Sequence, residues 1–167
     1  MNTSFQKTAA SDEWYTPKEI IDALGAFDLD PCAPMRPLWK TAKRMVNKEE
    51  DGLKTQWGGV RVWCNPPYSQ PLLSQFCEKM IQNGNGILLT FARTDNSLFQ
   101  EKLLPACDAI LFLRHRLRFY RPDGTQGQTP GCGSVLLAFG KENVEALRHS
   151  GLEGFLMERA GNWNKIQ

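Results

Sequence analysis

Between residues 60 and 113 short apolar runs alternate with stretches of helical spacing, and no other feature restricts the fold so much. "VRVWC" (60–64), "GILLTFA" (86–92) and "AILFL" (109–113) each suit one buried strand. Between them, "PLLSQFCEKMIQNG" (71–84) sets Leu72, Leu73, Phe76, Met80 and Ile81 on one helical face and stops at Gly84, and "NSLFQEKLLP" (96–105) reads as a second helix. Strands joined through helices by short connections pair in parallel, with helices on both faces. Upstream, "TPKEIIDALG" (16–25) predicts a helix with Thr16 as N-cap, Pro17 at the first helical position, Glu19 completing a capping box and Gly25 as the stop. "FDLD" (27–30) predicts a strand ended by Pro31, and residues 34–59 predict loop with room for one short helix. After residue 113 the pattern changes. "LRFYR" (117–121) and "SVLLAFG" (134–140) flank a glycine-rich loop with no helix between them, which predicts an antiparallel pair at one edge, and "KENVEALRHS" (141–150) predicts a last helix. The expected fold class is therefore an α/β sandwich: a mostly parallel sheet with an antiparallel pair near the C-terminal end.

A chain of 167 residues buries about 70% of its unfolded surface as one domain. That domain is expected over residues 13–167, after a flexible polar arm at 1–12, with no separate target-recognition domain. No apolar run reaches the length of a membrane span, and the polar start lacks the core of a signal peptide, so the expected location is cytoplasmic. Five scattered cysteines without a C-x-x-C pair fit a reducing compartment and argue against a disulfide framework or a zinc site. Net charge is only +2, but its distribution is uneven: without Arg114, Arg116, Arg118 and Arg121, 16 basic residues remain against 18 acidic ones. A local basic run with interleaved aromatics, "RHRLRFYR", suits a phosphate backbone, and equally suits a solvated edge strand guarded by arginines.

The most informative short segment is "VWCNPPYSQP" (62–71). Asn65, Pro66, Pro67 and Tyr68 leave the carboxyl end of a predicted strand, where open α/β sheets bind ligands. Asn65 offers a neutral carbonyl acceptor, and Pro66 a backbone carbonyl with no N–H. The two proline rings fix φ and hold those acceptors still. Tyr68 offers an aromatic face on which a planar base can stack. Acceptors aimed at both protons of a planar –NH₂ favour the pyramidal nitrogen, whose lone pair is free to attack, and stabilise the positive charge that grows on it.

In these residues the chain resembles the small phage- and prophage-type DNA adenine-N6 methyltransferases (Dam). The matching pieces are "EWYTPKEIIDAL" (13–24), "FDLDPCA" (27–33), "EEDGL" with "WGG" (49–59), "VWCNPPYS" (62–69), "FARTD" (91–95) and "RLRFY" (116–120). The resemblance implies a Rossmann-like methyltransferase sandwich, S-adenosylmethionine as methyl donor and DNA as partner, with no metal. It implies a catalytic set of Asn65, Pro66, Pro67 and Tyr68. Cofactor binding is implied for Tyr15, Thr16 and Pro17, for Asp30, Pro31, Cys32 and Ala33, with Asp30 pairing with the methionine ammonium, and for Asp51. Ala33, Pro34 and Met35 stand where many methyltransferases have a glycine-rich turn. DNA contacts are expected from Arg93, Asp95, Arg114, Arg116, Arg118 and Arg121, and from Lys43 and Arg44 in a second loop. The implied reaction is methyl transfer to N6 of a flipped-out adenine in a specific site, with protection of phage DNA from restriction as its purpose. The alternatives are another planar amine (cytosine N4, an RNA adenine or a protein glutamine), or a non-catalytic DNA-binding or anti-restriction module on the same fold.

Overall fold

The computed structural model describes residues 14–161, and the arm expected over 1–12 lies outside the described residues. Seven strands form one sheet: β1 (Leu29–Asp30), β2 (Arg44–Met45), β3 (Val62–Cys64), β4 (Gly86–Phe91), β5 (Ala109–Leu113), β6 (Ser134–Phe139) and β7 (Gly154–Glu158). Their order across the sheet is β2-β1-β3-β4-β6-β5-β7. β2, β1, β3 and β4 pair in parallel, while β6 runs antiparallel to both β4 and β5, and β7 antiparallel to β5. β1 to β5 therefore all point one way, and their carboxyl ends share one rim.

Alternation along the strands sorts side chains onto two faces. Val62, Cys64, Leu88, Ile110, Val135 and Leu137 face α2 (Leu72–Asn83) and a wide helical stretch, Leu98–Leu103, that runs into α3 (Leu104–Ala106); Phe76, Cys77, Met80, Phe99 and Leu103 fill that layer. Trp63, Ile87, Leu89, Leu111, Leu136 and Ala138 face the other way, under α1 (Lys18–Leu24) and α4 (Lys141–His149). Buried Arg61 fastens this second layer. Its guanidinium donates to the Leu24 and Ala26 carbonyls at 2.8 and 2.7 Å and to Asn143 Oδ1 at 2.8 Å, and lies 4.4 Å from the Phe27 ring centroid. Carbonyls at a helix end lack intrahelical partners, so one side chain satisfies the end of α1 and ties it to α4.

Several expectations are corrected. The sheet is half antiparallel by pairing rather than mostly parallel, and its antiparallel strand is internal, because β6 inserts between β4 and β5. Residues 117–121 are not a strand; Tyr120 makes isolated bridges to Tyr15 and Gln126 instead. The segment 34–59 contributes β2 rather than a helix, and β7 adds an edge strand after α4. α1 begins at Lys18 with Pro17 at its cap position and no side-chain cap bond, so Thr16 and Glu19 do not form the expected box. Pro17 φ is −51° with an extended ψ of 135°, which carries the chain into the helix by backbone geometry alone.

Candidate active site

The chain order sets the site. From β1 it moves outward to β2, then returns to β3 beside β1 and continues to β4 in the opposite direction. The crevice between β1 and β3 is thus the point where strand order reverses, the usual ligand position in open α/β sheets. Asp30 ends β1, and Asn65 follows β3. A narrow cleft opens there, lined by Trp14, Tyr15, Thr16, Asp30, Cys32, Trp39, Thr41 and Asn65 among others. A larger hollow of about 640 Å³ between β5, β7 and α4 contains none of the tetrad.

Half-buried Asn65 is held on both sides. Its Nδ2 donates to the Trp14 carbonyl at 3.3 Å and to Thr16 Oγ1 at 3.2 Å, and its Oδ1 accepts from the Tyr68 hydroxyl at 3.1 Å. Burial pushes the Tyr68 phenol well above its usual range, so it remains a neutral donor. The Tyr68 ring stacks on Phe91 at the end of β4, with centroids 4.3 Å apart and planes 22° from parallel. One face of the tyrosine is therefore backed by the protein. Pro66 is buried and Pro67 half-buried, which fixes the backbone that carries both side chains.

Asp30 is the charged group of the cleft, 2% exposed. It accepts from Thr41 Oγ1 at 2.5 Å and from the Cys32 N–H at 2.9 Å, and among the described residues it meets no cation. Burial pushes its carboxyl up to about 6, against the opposing effect of those two hydrogen bonds. A buried carboxyl without a cation is costly as an ion and suits a cationic ligand group that enters beside it. Cys32 Sγ lies 3.8 Å from Cys64 Sγ, bridging β1 and β3, and burial holds the Cys32 thiol well above its usual range. The turn after Asp30 has no residue at positive φ, and its Ala33 N–H is anchored on the Val46 carbonyl at 3.0 Å. Glycine is needed opposite: a Cβ on Gly52 would stand 1.9 Å from the Pro31 carbonyl oxygen. Asp51, at φ 60°, uses its carboxylate locally, accepting from the Leu53 N–H at 3.1 Å and pairing with Lys54 at 2.9 Å.

The basic residues divide between the two ends of the sheet. Arg93 and Asp95 follow β4 and Arg114 follows β5, all exposed on the rim that carries Asn65. Arg114 pairs with Glu153 at 3.1 Å, Arg116 donates to the Pro130 carbonyl at 3.1 Å, and Arg118 and Arg121 are exposed. Tyr120 returns this segment to the cleft: its backbone pairs with Tyr15 at 2.9 and 3.0 Å, and its ring meets Trp39 edge-on. Lys43 and Arg44 instead enter β2 from its amino side, with Lys43 bound to Asp28 at 2.7 Å, so they are not brought to the tetrad's rim.

Residues 3–150 match the model of a family described as DNA N-6-adenine-methyltransferase (Dam). The chain belongs to that family. Curated relatives named DNA N-6-adenine-methyltransferase come from two phages. The protein of Escherichia phage T1 is 33% identical over 109 residues, covering 61% of this chain and 45% of that protein. The protein of Haemophilus phage HP1 is 28% identical over 127 residues, covering 71% and 72% respectively. The chain thus spans a little under half the length of the T1 relative. No solved structure matches. The Dam-family match covers every site residue described above. Sequence reasoning had missed Trp14, Trp39, Thr41 and Phe91. Phe91 was legible, as the aromatic that opens "FARTD" at the end of a predicted strand; Thr41 was not, because nothing local announces that residues 31–43 fold back over Asp30. Among the described residues no group of three or more His, Cys, Asp or Glu is arranged to hold a metal, and no helix is long and apolar enough to cross a membrane.

Proposed function

We propose that this chain is a DNA adenine-N6 methyltransferase of Rossmann-like type that takes its methyl group from S-adenosylmethionine and acts on a flipped-out base. The observation that carries the reading is the pairing, across the β1–β3 crevice, of an oriented carboxamide acceptor on Asn65 with the cation-free buried carboxyl of Asp30. The cleft fits the donor by its chemistry. Asp30 would hold its ammonium, with Tyr15 and the backbone of Pro31, Cys32 and Ala33 forming the wall around it. When bound, the donor supplies an electrophilic methyl.

The chain's own residues do the rest. Asn65 Oδ1 and the Pro66 carbonyl accept the two protons of the exocyclic amine, which localises its lone pair and stabilises the charge that develops there. No lysine or histidine lies in the cleft lining to act as a strong base, and attack by a neutral amine needs none. Tyr68, backed by Phe91, stacks the extruded base, worth roughly 1–3 kcal/mol against the cost of unstacking it from the duplex. Arg93, Arg114, Arg116, Arg118 and Arg121 offer phosphate contacts along the same rim. The small reading surface fits a short target sequence, and the phage relatives fit protection of phage DNA.

The test is product identity. The protein is incubated with methyl-labelled S-adenosylmethionine and, separately, with unmethylated duplex DNA, single-stranded DNA, RNA and protein, and the labelled product is identified by mass. N6-methyldeoxyadenosine is the expected product. N4-methyldeoxycytidine, or label confined to RNA or protein, overturns the assignment.

A further inference from the structure

We infer that Thr16 is a positioning residue that holds the Asn65 carboxamide, in the orientation the Trp14 carbonyl sets, where its acceptor end can meet the substrate amine; the inference rests on the reading of Asn65 above. A carboxamide has an acceptor end and a donor end, and only the acceptor end can receive an amine's protons. Turned over, Asn65 would present –NH₂ to –NH₂. One neighbour prevents this, and a second holds the carboxamide in place. The Trp14 carbonyl, 3.3 Å from Nδ2, can only accept, so the donor end must face it. The Thr16 hydroxyl, 3.2 Å from the same nitrogen, receives a second proton from that end. Oδ1 is thereby turned away from Trp14 and Thr16 and toward Tyr68. The same arrangement accounts for an asparagine here, because a carboxylate would point lone pairs at the Trp14 carbonyl.

Thr16 is free for this task because it does not cap α1: the helix starts at Lys18 without a side-chain cap bond. Its side chain is buried, 4% exposed, and a buried hydroxyl requires a partner, which Asn65 provides. The segment that carries it is fixed. In extended chain successive residues turn their N–H and C=O to opposite sides. Tyr15 uses both on Tyr120, at 3.0 and 2.9 Å, so the Trp14 carbonyl turns to Asn65. The Tyr15 hydroxyl adds an anchor on the Arg36 carbonyl at 2.7 Å. Gly127 packs against the other side of Trp14, where an added Cβ would stand 2.8 Å from the indole.

The experiment compares full-length wild type, Thr16→Val, Thr16→Ala, Thr16→Ser and Asn65→Ala, measuring kcat, the KM for a DNA duplex and calorimetric affinity for S-adenosylmethionine. Thr16→Val keeps the shape and removes the hydroxyl, Thr16→Ala removes it without bulk, and Thr16→Ser restores it. The expected result is kcat reduced about a hundredfold in the Val and Ala variants, as for a displaced reacting group, with donor affinity and KM within a few-fold of wild type and with Thr16→Ser close to wild type. Wild-type kcat in Thr16→Val beside an inactive Asn65→Ala overturns the role of Thr16 and leaves the reading of Asn65 standing. Lost donor affinity at unchanged kcat also overturns it, making Thr16 a cofactor contact. Normal turnover by Asn65→Ala removes the underlying reading itself.

Discussion

At the scale of single residues, the site depends on polar groups whose partners leave part of their bonding capacity unspent. Asn65 spends its donor end on Trp14 and Thr16, and Asp30 receives two hydrogen bonds but no cation. The state of Asp30 gives a pH dependence with a definite sign. Its folded value of about 6 lies above the value near 4 of an unfolded chain. Between those values the folded protein without ligand retains a proton that the unfolded chain releases, so stability falls as pH rises through the window. The loss is roughly 3 kcal/mol in all and is complete above about pH 6. An ammonium beside Asp30 needs the carboxylate, so donor affinity rises with pH in the same interval, by up to about tenfold per unit, and levels off above it. Asp30→Asn should bind S-adenosylmethionine at least tenfold more weakly at neutral pH, lack the rise, and be more stable than wild type without ligand at pH 7. Calorimetry and denaturant unfolding across pH 4.5 to 7.5 measure both; a flat affinity profile in the wild type would sink the assignment of Asp30.

At the scale of elements, the cleft is built where secondary structure stops. β1 and β3 are only two and three residues long, and each ends in a proline-containing turn beside the cleft. Tyr120 anchors the Trp14–Thr16 segment that meets Asn65 just before α1, and Arg61 holds the other end of that helix. Arg61→Met would leave the Leu24 and Ala26 carbonyls and Asn143 without their donor, at an expected cost of about 3 kcal/mol. Activity per folded molecule should fall less than stability does, which denaturant unfolding and turnover on one preparation will separate. An unchanged unfolding midpoint would contradict the role given to Arg61. The long elements were legible because their apolar spacing is dense: α2, β4, β5, β6 and α4 all lie within a few residues of expectation. What was not legible depends on distant partners. β2 is a strand because β1 offers its edge, and "LRFYR" is not one because β6 is already paired on both sides, by β4 and β5. Thr16 shows the same limit at the site. Its local sequence is that of a helix cap, and only the fold brings Asn65 within reach of it.

For the whole molecule, the parallel direction of β1 to β5 gathers Asp30, Asn65, Phe91, Arg93 and Arg114 on one rim, and leaves Lys43 and Arg44 at the other end. The place of the tetrad after β3 was readable from sequence because its residues are contiguous, and that of Asp30 at the end of β1 because Pro31 stops the strand. The orientation of the carboxamide was not, since it is set by a carbonyl 51 residues away in sequence. The central claim is that this orientation makes Asn65 the acceptor for the amine that is methylated. Its most direct test gives wild type and Asn65→Ala the same unmethylated duplex DNA with S-adenosylmethionine, after confirming that both are folded and bind the donor, and measures N6-methyladenine by mass after digestion. The account predicts the product from wild type and a rate lower by about a hundredfold or more from the variant, at donor affinities within a few-fold of each other. N6-methyladenine formed at the wild-type rate by folded, donor-binding Asn65→Ala would contradict it.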